Sequence, residues 1–179
     1  MNFSKKDKIE IFENAISWVV VMAMFIYGGG KMVQFVDAVD PSKTVAEMTG
    51  MELMWAFYSY SKSFVITLGI FEVIGGVLIL IKRTRLLGCL FITAILFNVI
   101  LQDIYFGVHL GALKAAILYQ ILILIILWLN KEKIIKSIKI LMTSEQRATQ
   151  TKRKVFTKLL LAFGIFVVVR VFEYYITIP

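Results

Sequence analysis

Ser63-Phe-Val-Ile-Thr-Leu-Gly69-Ile-Phe-Glu72-Val-Ile-Gly75-Gly76-Val-Leu-Ile-Leu80-Ile81 is an apolar run with a single acid near its middle. Coiled as a helix at 1.5 Å per residue, it reaches about 28 Å. That matches the roughly 30 Å hydrocarbon core of a bilayer. Lys82-Arg83-Thr84-Arg85 closes it with a tight basic turn, and a second apolar run starts at once at Leu86. A span, a basic hairpin and another span decide the fold class: an all-α, polytopic transmembrane helix bundle.

The rest of the chain repeats the pattern. Apolar segments cover about 16–35, 63–81, 86–105 and 110–129, and a fifth runs from about Leu159 to the end. The first ends in Gly28-Gly29-Gly30-Lys31 and returns to Met32, Val33 and Phe35, unlike a cleavable signal, which ends at a small-residue cleavage site. Residues 37–54 are polar, and Asp40-Pro41-Ser42 opens a turn or a short interfacial helix. The expected organisation is a four-helix core over 1–130, a basic segment over 131–158 and a fifth transmembrane helix over 159–179. Within the basic segment Ile134, Ile135, Ile138 and Leu141 recur at helical spacing between lysines, as in a helix lying on a membrane surface.

Composition agrees. Of 179 residues, 59% are hydrophobic and 18% charged, against roughly 45–50% and 25% in soluble domains. The excess of apolar residues excludes disorder. The net charge of +8 flanks the spans, where it meets lipid head groups rather than nucleic acid. Lys and Arg are retained on the cytoplasmic side. With the N-terminus inside, fifteen basic residues face that side and four (Lys31, Lys43, Lys62, Lys114) lie on or near the other. The C-terminus is then outside, and the expected location is the inner membrane. No nucleotide-binding, metalloprotease or hydrolase motif occurs, and one cysteine, Cys89, allows neither a disulfide nor a thiolate metal site within the chain.

Polar residues inside spans carry the remaining information, because each costs about 2.5–3.5 kcal/mol to insert. Lys31 and Glu72 fall at depths a lysine side chain can bridge, so they are expected to pair. Asn98, Gln102, Asp103 and His109 sit toward the same outer end. Together the six form a candidate ligand or proton site, or else helix–helix glue. Arg170 and Glu173, three apart on the last span, form an expected structural ion pair. No metal site is expected.

Three motifs occur in order: Tyr27-Gly-Gly-Gly-Lys31, then Gly69-Ile-Phe-Glu72-Val-Ile-Gly75-Gly76 with its basic turn, then Asn98-Val-Ile-Leu-Gln102-Asp103 through His109. Over residues 10–130 the chain resembles the DoxX-like family of small four-helix membrane proteins. The resemblance implies a four-helix core and association with membrane redox systems, including subunits of thiosulfate:quinone oxidoreductase, with quinone as the implied ligand. The chain departs from thiol chemistry in lacking a cysteine pair. Two other readings stand beside the redox subunit. One is a scaffold docking a protein partner, a second copy or anionic lipid through residues 131–179. The other is a small transporter.

Overall fold

The computed structural model describes residues 2–36, 38, 40, 42–143 and 152–177. Pro41, Arg147 and the chain end at 178–179, all used in the sequence reading, lie outside them. The described residues are all-helical: α1 (Lys5–Gln34), a 3-10 turn (Val45–Glu47), α2 (Gly50–Tyr60), α3 (Lys62–Leu80), α4 (Arg85–Tyr105), α5 (Leu110–Leu129), α6 (Lys131–Met142) and α7 (Lys152–Thr177). Five of them, α1, α3, α4, α5 and α7, are long and apolar enough to cross a membrane. The protein is a multi-pass membrane protein.

Several boundaries differ from the apolar runs, each for a local reason. The first helix begins at Lys5, well before Ile16, because Ser4 and Asp7 form a reciprocal capping box. Polar residues extend a helix out of the bilayer as readily as apolar ones fill it. Within the basic segment α6 ends at Met142, and Lys152–Lys158 already belong to α7. The polar connection after α1 holds a longer helix than the turn signal suggested. Thr49 and Glu52 cap it, and it reaches Tyr60.

Residues 1–135 and 136–179 form two separate compact units. In the first, α1 packs on α3, α3 on α4, α4 on α5 and α5 back on α1, a closed four-helix ring. Its core is Val20, Met24, Ile79, Cys89, Ile92, Ile123 and Ile126, all almost wholly buried. Cys89 is thus a small core side chain. The outward faces remain apolar, with Trp18, Met22, Ile70, Phe97 and Leu124 all exposed, as contact with lipid requires. In the second unit, α7 has no buried residue.

Helices α1 and α3 approach closely through two glycines. A Cβ at Gly28 would come within 2.6 Å of the Gly69 carbonyl oxygen, and a Cβ at Gly69 would collide with the Gly28 carbonyl. Two glycines let backbone meet backbone, the small-residue packing that holds helices together in lipid. Gly69→Ala should therefore lower stability by about 1–3 kcal/mol. Gly29→Ala, where a Cβ meets nothing within 4 Å, should be neutral or stabilising. Unfolding of both variants in detergent measures this, and equal behaviour would mean that the contact is dispensable.

Candidate functional site

One turn beyond the glycine contact on each helix stand Lys31 and Glu72. Lys31 Nζ lies 3.2 Å from Glu72 Oε1, with Glu72 buried and Lys31 half-buried. The pair borders a cleft of about 340 Å³ among α1, α2, α3 and α4. Phe71, Phe91, Leu68 and Ile95 supply apolar wall, and Asn98, Gln102 and Asp103 supply the α4 edge. Tyr58 of α2 reaches in and donates its hydroxyl to Gln102 Oε1 at 2.5 Å. Gln102 Nε2 in turn donates to Asn98 Oδ1 at 2.6 Å.

Aromatic contacts dock α2 beside the cleft. Phe35 stacks on Tyr58 with centroids 5.0 Å apart and meets Trp55 edge-on at 5.5 Å. Gly50 lies against the backbone of Phe106, so α2 also touches the α4–α5 turn. A second cleft of about 330 Å³ shares Lys31, Phe35 and Tyr58 and adds Ser59 and Lys62.

Three buried oxygens have no hydrogen-bond partner among the described residues: Glu72 Oε2, Asp103 Oδ2 and Gln120 Oε1. The first two belong to residues lining the first cleft. A buried acceptor left without a donor costs about 1–3 kcal/mol, more when charged, so two carboxylate oxygens at one cleft are a strong chemical signal.

Of the six expected site residues, five line this cleft and His109 does not. The chain reverses after α4 at Gly107, whose φ of 63° lies in the left-handed region. The Val108 amide donates to the Asp103 carbonyl at 3.0 Å. His109 then caps α5, its Nδ1 accepting from the Gly111 amide at 3.1 Å, and it stays exposed. Gln120 of α5 lies against α4, its Nε2 donating to the Thr93 hydroxyl at 3.4 Å. Arg170 Nη1 and Glu173 Oε2 are 2.5 Å apart on α7 and both exposed. No cluster that could hold a metal ion is present among the described residues.

The opposite end of the ring holds a polar knot that the sequence reading passed over. Arg85 counted there as one charge of the basic turn, yet it is 4% exposed. Its Nη1 donates to Glu13 Oε1 at 3.0 Å and its Nη2 to Asn14 Oδ1 at 3.0 Å. Its Nε donates to the Ile79 carbonyl at 3.1 Å. Asn130, capping α5, donates to Glu13 Oε2 at 3.2 Å. All four helices of the ring meet at this knot. The available signal was Glu13 on the same face as Ser17 and Lys31, an acid pointing inward with no assigned partner.

Outside the spans, the Lys43 ammonium lies 2.5 Å from Glu52 Oε1. Thr49 donates its amide and hydroxyl to Glu52 Oε2 at 2.8 and 3.0 Å. The Lys43 bond first, and the Thr49 bonds next, hold the Glu52 carboxyl at about 2 against an ordinary 4.5.

A ring of helices with apolar outward faces and a Lys–Glu ion pair at one end defines an all-α multi-pass membrane protein with a polar cleft. Over 111 residues the chain is 32% identical to the uncharacterized protein YwoB of Bacillus subtilis (strain 168), covering 61% of this chain and 70% of YwoB. The chain belongs to the YwoB family. No protein-family model matches it, and no solved structure does.

Two predictions follow from this geometry. Arg85→Met should destabilise the bundle, by less than the roughly 3–5 kcal/mol of a fully buried pair, because the half-buried Glu13 loses its counter-charge. Adding Glu13→Gln should restore part of that loss in detergent unfolding, and no restoration would mean that the two act separately. Because Glu52 titrates below its ordinary value, its clip is complete above pH 4.5 and fades as pH falls toward 2. A carboxyl NMR titration should find that low midpoint, and Lys43→Gln should move it upward. A Glu52 midpoint near 4.5 in the native sequence would show that the clip does not form.

Proposed function

We propose that this is a DoxX-like integral membrane subunit of a redox system, holding a quinone or a similar lipid-soluble ligand in the cleft beside Lys31 and Glu72. The observation carrying the reading is the Lys31 ammonium beside Glu72 at a cleft with aromatic walls, where Glu72 Oε2 and Asp103 Oδ2 remain as acceptors for a carboxyl proton or for the hydroxyls of the reduced ligand. A quinone supplies a reducible ring with two carbonyl acceptors. The residues present suit it: Lys31 keeps N–H donors beyond the one facing Glu72, and Phe71 and Phe91 offer flat apolar surface. Lys31 would orient the ligand by hydrogen bonding one oxygen, and Glu72 would hold or accept a proton beside it. The electron donor would be another subunit, since this chain carries no redox-active pair of its own.

The basic residues flanking the spans support an inner-membrane location with the N-terminus inside and the C-terminus outside. The cleft, at the Lys31 end of α1, then opens in the outer half of the bilayer. The uncovered apolar surface of α7 supports a docking role for the last 49 residues, 131–179, beside the ligand-holding core.

Solvent extraction of the purified protein, followed by mass spectrometry, tests the reading. Near-stoichiometric quinone is expected, lost in Glu72→Gln and in Lys31→Ala while both variants still insert and purify. A preparation that keeps its lipids but contains no quinone would overturn it. In that case a partner that co-purifies only when residues 131–179 are present would favour the docking role alone.

A further inference from the structure

Helix α6 starts one residue after a membrane span ends. Asn130 is the whole connection: its backbone leaves helical geometry, with φ −110° and ψ 20°. Its side chain is fastened to Glu13 and to the Ile126 carbonyl, and Lys133 Nζ donates to its Oδ1 at 3.1 Å. The first turn of α6 is therefore set at the end of the span, where the bilayer surface lies.

At 100° per residue, Ile134, Ile135, Ile138, Leu141 and Met142 fall within an arc of about 120°. Lys133, Lys136 and Lys139 fall on the opposite arc. Four lysines face a single acid, Glu132, along the helix. The apolar arc is uncovered, with Leu141 and Met142 86% and 79% exposed. Just before α6, Trp128 is exposed, and the Lys131 ammonium sits 4.6 Å from its ring centroid. An amphipathic aromatic paired with a cation at a span's end is the arrangement that anchors protein in the head-group layer.

We infer that α6 is a docking surface for anionic phospholipid, its isoleucine arc entering the head-group boundary and its lysines gathering the negative head groups. Charge chooses this occupant. Lys136 and Lys139 are drawn to a surface of net negative charge, whereas a zwitterionic surface, whose phosphates are balanced by their own ammonium groups, satisfies the apolar arc without that attraction. Lysines on the far arc reach the phosphates by extending their stems along the helix flank.

The test uses the full chain in nanodiscs of phosphatidylcholine alone or mixed equally with phosphatidylglycerol. Hydrogen exchange is followed in peptides covering 131–142. Exchange should be slower in the mixed discs, and added salt should erase the difference. Lys136→Gln and Lys139→Gln should each reduce the protection roughly fivefold, equivalent to about 1 kcal/mol per basic residue at an anionic surface. Lys136→Arg with Lys139→Arg should retain it. Neither lysine is part of the Glu13–Arg85 knot, and unchanged exchange in α5 peptides verifies that the bundle is intact. Equal protection in the two lipids would overturn the inference, as when a second copy or a protein segment covers the helix. Protection that survives both glutamine changes would overturn it too.

Discussion

The contact of the Gly28 and Gly69 backbones is the constraint on which the rest of the bundle depends. Within lipid there is no hydrophobic drive to bring two helices together, since the tails are as apolar as leucine. Association has to come from close packing and from polar contacts made across it. With α1 and α3 this near, Lys31 and Glu72 are brought to 3.2 Å, a distance that side chains of ordinary bulk at 28 and 69 would not permit. The ion pair does not hold the helices together by itself, because removing two charges from water costs about what their attraction returns. The glycine contact sets the geometry, and the pair follows from it.

The two ends of the ring differ in a way that separates structure from site. At the Arg85 end, Arg85 donates through Nε, Nη1 and Nη2, and both Glu13 oxygens accept. Such a knot is closed: a ligand would have to break a bond to enter. At the Lys31 end, one ammonium pairs with Glu72 alone, and Glu72 Oε2 and Asp103 Oδ2 accept nothing among the described residues. Helix–helix glue is expected to be saturated, because each unmet acceptor lowers the stability it would supply. The contrast within one bundle favours a binding role for the unsaturated end and a structural role for the other.

Much of this was legible in the sequence, and the exceptions share a cause. Continuous apolar runs located the membrane-crossing parts of α1, α3, α4 and α5, because burial in lipid demands them. The depth of Lys31 and Glu72 followed from helical rise alone. Arg85 was misread because a basic residue after a span has two indistinguishable uses, holding topology or turning back into the bundle. Only the position of Glu13 and Asn14 on α1, fixed by tertiary packing, separates them. His109 was drawn into the site by depth, whereas Gly107 turns the chain so that the ring caps α5. A short interfacial helix was legible after α1, but the place of α2 beside the cleft was not, because it depends on the contacts of Phe35 with Tyr58 and Trp55, which only tertiary packing brings about. Local capping, not hydropathy, sets where α1 and α2 begin.

The unmet oxygens also limit what the cleft can accept. With Lys31 already beside Glu72, Asp103 has no cation within ion-pairing distance among the described residues. A ligand that only accepts hydrogen bonds, such as a quinone carbonyl, complements these oxygens only if a carboxyl holds a proton to donate. A ligand that brings its own donor complements them directly. Tyr58 and Gln102 leave little room for a third arrangement, since each already spends its best-placed group on the other. Occupancy of this cleft is therefore tied to a proton on either the protein or the ligand. The tie arises because α1 contributes one lysine to a space where α3 and α4 contribute one acid each.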